Sequence, residues 1–198
     1  HLRVYGASDY AVTADGGDFT EHGVFGLDPD GELYLLDWWF GQTTSDEWIE
    51  TELDLIDKWK PIAWAGEAGP IRRAVEPFLA RRMRQRKSFC RLDWLPSIHD
   101  KPTRARAFQA MASSGVVHLP RNIEWADRLL RQLLTFPVGV FDDGVDVCSL
   151  IGRYVDQMRD ARVPPPQAEK PKPGTIEHMM AITDEREGPS KYRSVRPR

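Results

Sequence analysis

The sequence predicts a mixed α/β fold, with one central sheet and helices packed on its faces. Two observations indicate this class. The chain opens with a run of strand-like segments, and helical and strand-like segments alternate after it. The helical segments repeat apolar residues every three or four positions, whereas the strand-like segments are short apolar runs between turn residues. With 198 residues, 41% of them hydrophobic, the chain is long enough for one medium-sized domain.

The first part of the chain contains four predicted strands and one helix. A hairpin is indicated by Pro29, Asp30 and Gly31, which lie between the second and third apolar runs. The helix follows Ser45, because Asp and Glu fill its first turn and its Trp, Leu and Ile residues recur at helical spacing. The predicted segments are strands at 2–12, 22–28, 32–40 and 61–67 and a helix over 46–59.

The second part alternates more regularly between helix and strand. Pro70 marks a helix start, since proline suits the first helical position. The predicted helices are Pro70 to Arg86, Lys101 to Ser114, Ile123 to Leu134 and Asp143 to Asp160, and the predicted strands are 88–96, 116–120 and 136–141.

Composition changes near residue 163, where a Pro- and Lys-rich stretch begins. No core can be built from this polar sequence, so we expect residues 1–162 to fold and residues 163–198 to form a flexible tail. Because the chain starts with His rather than Met, we expect it to be a piece of a longer polypeptide.

Bulk composition excludes several classes of protein. The net charge of −3 gives no indication of nucleic-acid binding by itself. The two cysteines have no CxxC spacing, so neither a disulfide framework nor a zinc site is predicted, and a reducing, cytosolic setting is expected. No apolar stretch reaches membrane-spanning length, and no signal peptide is recognisable.

Acidic residues follow several of the predicted strands. Asp9, Glu67 and the pair Asp142 and Asp143 each lie at or just past the end of an apolar run. Strand ends in an open α/β sheet collect functional groups, and converging carboxylates repel one another unless cations lie between them. Oxygen ligands without clustered His or Cys favour Mg²⁺ or Mn²⁺ over zinc. These positions therefore predict a divalent metal site, with two ions as the expected number.

Each acid also has an ordinary structural interpretation. Asp9 could be a turn or capping residue, and Glu67 a loop acid at a helix start. Asp142 and Asp143 could form an N-cap pair that complements the helix dipole. Asp146, one helical turn further on, could face the same site or be only a first-turn charge. The residues alone leave these alternatives open.

Five segments carry a resemblance to a known family, and it extends from about Leu2 to Arg159. They are YGASDYAVTADGGDFT, GLDPDGELYLLDWW, IAWAGEAG, KPTRARAFQAMASSGVVHLP and LLTFPVGVFDDGVD. The last is the most specific, because Phe-Pro shortly before Asp-Asp-x-x-Asp is typical of the family. The chain resembles the nuclease domain of the large terminase subunit of tailed bacteriophages.

The resemblance implies an RNase H-like fold whose first three strands are antiparallel. It also implies Mg²⁺- or Mn²⁺-dependent cleavage of double-stranded DNA during viral genome packaging, in the host cytoplasm. The implied partners are the terminase ATPase domain, the small terminase subunit and the portal protein. No G-x-x-x-x-G-K-[ST] loop is present, so no ATP site is expected in this chain.

By position, the resemblance assigns catalytic and metal-binding roles to a set of acids. The expected catalytic residues are Asp9, Glu67, Asp142 and Asp143, and the expected metal ligands are these four and Asp146. Of the adjacent pair, Asp143 is the favoured direct ligand. Asp15 and Asp18 are expected to be turn residues, with approach of Asp18 to a metal as the alternative.

Basic residues are concentrated in the helix from Pro70 and in the segment KPTRARA. Phosphate neutralisation by such residues gives sequence-independent, salt-dependent affinity, so they are candidate DNA contacts. Lys101 and Arg104 lie about one helical turn apart and could face the acidic site. Solvated helix surfaces are the alternative. The candidates are Arg72, Arg73, Arg82, Arg84, Arg86, Lys87, Lys101 and Arg104.

Two other functions are compatible with the sequence. One is another nuclease of the same fold, such as a junction resolvase. The other is a module that binds DNA or a portal without cutting. The Phe-Pro and Asp-Asp segment favours the terminase interpretation over both.

Overall fold

The computed structural model describes residues 1–11, 19–97, 100–139 and 142–160, with side chains as far as residue 157. The strands are β1 (Arg3–Asp9), β2 (Thr20–Leu27), β3 (Leu33–Gly41), β4 (Ala63–Ala68), β5 (Arg91–Pro96) and β6 (Val117–His118). The helices are α1 (Ser45–Trp59), α2 (Pro70–Arg86), α3 (Lys101–Ser113), α4 (Glu124–Thr135) and α5 (Asp143–Asp160). Asp15, Asp18 and the predicted tail at 163–198 lie outside the described residues.

Six strands form one mixed sheet in the order β5-β4-β1-β2-β3-β6. The β1–β2 and β2–β3 pairs are antiparallel, as the resemblance implies for the first three strands. The β1–β4, β4–β5 and β3–β6 pairs are parallel. The turn between β2 and β3 is held by Asp28, whose Oδ1 accepts hydrogen bonds from the backbone N–H groups of Asp30 and Glu32.

Each face of the sheet is covered by its own set of helices. Strand side chains alternate between faces, so Tyr5 and Ala7 of β1 join the core formed with α3, α4 and α5. The opposite core contains Val24 of β2 with buried residues of α1 and α2. Two helical layers thus bury the sheet on both sides.

Helix α5 lies close against α3 because Gly152 leaves room for the α3 backbone. A Cβ at Gly152 would stand 2.6 Å from the backbone nitrogen of Phe108, which cannot move without displacing α3. Close contact at this point fixes α5 across the α3 side of the core.

The predicted strand over 136–141 is wrong for the residues that can be described. Phe136 donates its backbone N–H to Gln132 at the end of α4, and residues 136–139 form turns rather than a strand. Val138 is 92% exposed, so this apolar run does not enter the core. Residues 140 and 141 lie outside the described residues. In the described part of the chain, no helix is both long and apolar enough to cross a membrane.

Candidate active site

Acidic residues from three elements lie at one edge of the sheet. Asp9 ends β1, and Glu67 is the penultimate residue of the adjacent parallel strand β4. Parallel neighbours end at the same edge, which brings these two positions together. Asp143 and Asp146 lie in the first turn of α5, which packs against the face of β1. The sequence distributes these acids over more than 130 positions, and the fold collects them.

The carboxylates are close enough to influence one another's protonation. The pKa of Asp9 is raised well above its usual value, first by burial and then by the negative charges of Asp146 and Asp143. Glu67 raises the Asp9 pKa further, while Lys101 lowers it. Asp143 and Asp146 are 4% and 7% exposed. Excess negative charge is therefore concentrated in a poorly hydrated place.

Lys101 connects two of the acids. Its Nζ lies 2.8 Å from Oδ1 of Asp142 and 2.8 Å from Oδ2 of Asp146. Partial burial, the largest single influence, lowers the Lys101 pKa, but the hydrogen bonds and charges of both aspartates outweigh it and the net pKa is raised. Lys101 starts α3 because Asp100 caps that helix, accepting a hydrogen bond from the backbone N–H of Thr103. The ammonium group is thus held in its charged form.

Arg104, one turn further along α3, joins β4 to α5. Its Nη1 lies 2.8 Å from Oε1 of Glu67, and its Nη2 lies 3.2 Å from Oδ1 of Asp146. The side chain is 11% exposed, and its buried Nε has no hydrogen-bond partner among the described residues. Two cations from α3 therefore form ion pairs with three acids, Glu67, Asp142 and Asp146.

Asp142 precedes α5 as its N-cap residue. Its carbonyl oxygen accepts hydrogen bonds from the backbone N–H groups of Val145 and Asp146. Its carboxylate points to Lys101, and its side chain is 34% exposed, much more than that of Asp146. Of the three aspartates, Asp142 is the one at the rim.

The donor chemistry of this cluster fits a hard divalent cation. Carboxylate oxygens are the ligands that Mg²⁺ and Mn²⁺ prefer, and a cation would offset the burial and the neighbouring negative charges that raise the pKa of Asp9. As the side chains stand, no group of three or more His, Cys, Asp or Glu residues in the described part of the chain is arranged to hold a metal. Lys101 and Arg104 form ion pairs with oxygens of Glu67, Asp142 and Asp146.

The predicted basic residues of α2, and Lys87 just after it, divide into those that form an ion pair within the described chain and those that do not. Arg82 pairs with Glu50, and Arg86 pairs with Glu50, Asp54 and Asp57, so both connect α2 to α1. Arg72 pairs with Glu76 in its own helix. The exposed residues for which the described chain provides no ion pair are Arg73, Arg84 and Lys87.

Sequence reasoning missed Glu21, a buried carboxylate directly opposite Asp9 in the β1–β2 ladder. Its Oε1 accepts a hydrogen bond from Arg128, and its Oε2 accepts one from the Trp38 indole. Strand alternation could have found it, because Glu21 shares the core-facing register of Phe25.

Comparison with solved structures identifies the fold. The large terminase nuclease of thermophilic phage G20c, solved with bound zinc, has a TM-score of 0.57 and 15% identity, covering 75% of this chain and 79% of that chain. The large terminase of a second thermophilic bacteriophage has a TM-score of 0.53 and 13% identity, covering 79% of this chain and 39% of that chain. The yeast mitochondrial Holliday junction resolvase Ydc2 has a TM-score of 0.51 and 13% identity, covering 80% and 81%.

No family model and no curated protein sequence matches the chain. At these identities the structural similarity concerns the fold, which joins three antiparallel strands to parallel neighbours and has helices on both faces. The chain has the mixed α/β fold of the RNase H-like nucleases, and its structural neighbours include the nuclease domains of large terminases.

Proposed function

We propose that this chain is a divalent-metal-dependent endonuclease that cuts double-stranded DNA, the nuclease part of a phage large terminase. One observation carries the proposal. Acids from β1, β4 and α5 meet at one edge of an RNase H-like sheet, opposite two cations of α3. Structural cores need no such concentration of charge, because like charges close together destabilise the fold. Electrostatic repulsion of this kind is typical of functional sites.

The acids have distinct places in the proposed site. Asp9, Glu67 and Asp143 would bind Mg²⁺ or Mn²⁺ directly, with Asp146 and the rim residue Asp142 completing the ligands of two ions. A bound pair of ions supplies charge neutralisation at the phosphate and lowers the pKa of water. The chain's own acids would hold the positive charge of these ions at the edge of the sheet.

Lys101 and Arg104 have a second role in this proposal. If the carboxylates bound a metal, they would turn from these cations and leave an ammonium and a guanidinium group free to bind a DNA phosphate. Arginine and lysine both bind phosphate oxygens through charge-assisted hydrogen bonds. The two residues would therefore steady the DNA backbone and the charge that develops during cleavage.

The terminase role supplies the biological context of the proposal. The substrate would be concatemeric viral DNA in the host cytoplasm, and ATP hydrolysis would come from a separate ATPase domain. The small terminase subunit and the portal protein would be the other partners. Resemblance at Phe136-Pro137 and at Asp142 to Asp146 supports this assignment.

The resolvase alternative is favoured by the similarity to the yeast enzyme, which has a TM-score close to those of the terminases. Substrate choice separates the two. A terminase nuclease cuts supercoiled plasmid and linear duplex, whereas a resolvase cuts a four-way junction in preference to a duplex of the same arm sequence.

The test is a cleavage assay on plasmid and junction with Mn²⁺, Mg²⁺ or EDTA. We expect plasmid cleavage with either metal, none in EDTA, and a loss of at least about 100-fold for Asp143→Asn, since metal ligands act directly on the reacting phosphate. Asp30→Asn, an exposed acid in the β2–β3 turn, is the matched control and should cut normally. A folded Asp143→Asn protein that cuts at the wild-type rate would contradict the proposal, and DNA binding without cleavage would favour the docking module.

A further inference from the structure

A buried polar chain connects the strand beside Asp9 to the first turn of α5. It begins at Glu21, which is fully buried and lies directly opposite Asp9 in the backbone register of β1 and β2. A buried carboxylate is costly unless several donors meet it. Glu21 has three, because the Nη1 of Arg128 lies 2.8 Å away, the indole nitrogen of Trp38 2.7 Å away and the amide nitrogen of Gln132 3.2 Å away.

Gln132 carries the chain onward to α5. Gln132 is 6% exposed, and both ends of its side-chain amide form hydrogen bonds. The nitrogen donates to Glu21, and Oε1 accepts a hydrogen bond of 2.9 Å from the backbone N–H of Gly144. That N–H is one of the groups at a helix start that has no partner within the helix. Gln132 of α4 thus caps a different helix, α5, from its side.

Gly144 is closely fitted to this contact. A Cβ at position 144 would stand 2.5 Å from Oε1 of Gln132 and 3.0 Å from Oε2 of Glu21. Only glycine allows the α5 backbone to approach both polar groups so closely. The approach leaves the first turn of α5 little freedom to shift along the sheet.

Arg128 orients Glu21, the residue at the other end of this buried polar chain. It lies four residues before Gln132 on α4, so the two side chains share one helix face. Its guanidinium carbon lies 3.6 Å from the ring centroid of Phe40, and its charge pairs with Glu21. The carboxylate, the guanidinium and the amide therefore orient one another.

We propose that Glu21 and Gln132 are positioning residues for the acidic site. They fix the first turn of α5, and with it Asp143 and Asp146, at a set distance from Asp9. The effect on metal binding rests on the proposed function. Outer groups that orient metal ligands commonly contribute about 10–100-fold to metal affinity.

Three variants separate positioning from general stability. Gln132→Met keeps the length of the side chain but removes both hydrogen bonds. The double variant Glu21→Gln/Gln132→Glu, called the exchange variant, swaps the two side chains. It restores a donor–acceptor pair between positions 21 and 132 and places a carboxylate at position 132, four residues from Arg128. Leu133→Ala is the matched control, since it removes partly buried packing from the same helix without touching Gly144.

The measurements are Mn²⁺ affinity by calorimetry and hydrogen exchange of the α5 first-turn amides. We expect Gln132→Met to weaken Mn²⁺ binding about tenfold, to expose the Gly144 amide, and to be rescued by the exchange variant. Leu133→Ala should lower the melting temperature without either effect. Wild-type Mn²⁺ affinity in Gln132→Met, or equal weakening in Leu133→Ala, would overturn the inference.

Failure of the proposed function gives a different result. In that case wild-type protein binds no Mn²⁺ and cuts no DNA, and amide exchange alone decides the inference. Loss of Gly144 protection in Gln132→Met with recovery in the exchange variant supports the positioning role. Unchanged protection in Gln132→Met contradicts it.

Discussion

Lys101 and Asp146 form an ion pair at the centre of the acidic site, with 2.8 Å between Nζ and Oδ2. A lysine in this position has two effects. It neutralises part of the charge while no metal is bound, and it occupies an oxygen that a metal would need. The two effects can be measured separately.

Replacing Lys101 by Met should therefore raise metal affinity and lower stability in EDTA. Removing a competing positive charge a few ångströms away is expected to tighten Mn²⁺ binding about tenfold. The free energy of unfolding in EDTA should fall by about 1 kcal/mol. Calorimetry and thermal unfolding measure these changes. Lys60→Met, which removes an exposed pair with Asp57, is the control, and weaker Mn²⁺ binding by Lys101→Met would refute the prediction.

Asp9→Asn should abolish cleavage and stabilise the metal-free protein. The folded-state pKa of Asp9 is raised, first by burial, so ionising Asp9 opposes folding. That cost is absent at acid pH and grows as pH rises above the unfolded value of 3.8. Thermal unfolding in EDTA should show equal melting temperatures for wild type and variant near pH 3, and a higher one for the variant at pH 8. A lower melting temperature for Asp9→Asn at pH 8 would count against this account.

Glu52, a buried residue of α1, predicts a second pH dependence. Burial raises its pKa to about 8, and among the described residues only one of its oxygens has a partner, accepting a hydrogen bond from Tyr10. Because the unfolded value is 4.5, wild-type stability should be lost as pH rises from about 4.5 to about 8. Glu52→Gln should remove this loss and gain a few degrees at pH 9, with no gain at pH 4. A melting temperature of Glu52→Gln that tracks wild type across this range would show that Glu52 ionises normally.

The two groups of α2 arginines should respond differently to substitution. Arg86→Gln breaks pairs with Glu50, Asp54 and Asp57 and should cost about 1–2 kcal/mol of stability. Arg73→Gln and Arg84→Gln should leave stability nearly unchanged, because both side chains are exposed. If this face binds DNA, each should weaken binding and lower the slope of log affinity against log salt by about one.

The measurements are thermal unfolding and a salt titration of duplex binding on the same variants. Equal loss of DNA affinity in all three would mean that the pairs with α1 open on binding. No loss in Arg73→Gln or Arg84→Gln would remove α2 from the DNA interface.

Most elements could be predicted from the sequence because local patterns dominate them. The apolar spacing of α1, Pro70 at the start of α2 and the turn at Asp28 each act over a few residues. The strand prediction failed over the described residues 136–139 because apolar composition alone does not distinguish a core strand from an exposed turn. Valine is a residue type favoured in strands, yet Val138 is as exposed as a loop residue.

Contacts between distant residues account for what the sequence did not predict. The acids at strand ends could be placed at one edge by topology, but the pairs of Lys101 and Arg104 with them depend on where α3 lies. The same holds for Arg86, whose α1 partners lie 29 to 36 residues away. The sequence around Gln132 does not indicate its contact with α5, because the hydrogen bond to Gly144 forms only once the fold brings the two residues together.

The order in which the acids occur along the chain has a consequence for synthesis. Asp9 and Glu67 precede Asp143 and Asp146 along the chain, and the latter two belong to α5, the last helix of the described residues. A ribosome releases these segments in that order, so a copy whose synthesis stops before α5 lacks Asp143 and Asp146. Under the proposed function, such a fragment would lack two of the expected metal ligands and should not cut DNA, so cleavage would require synthesis to continue through α5.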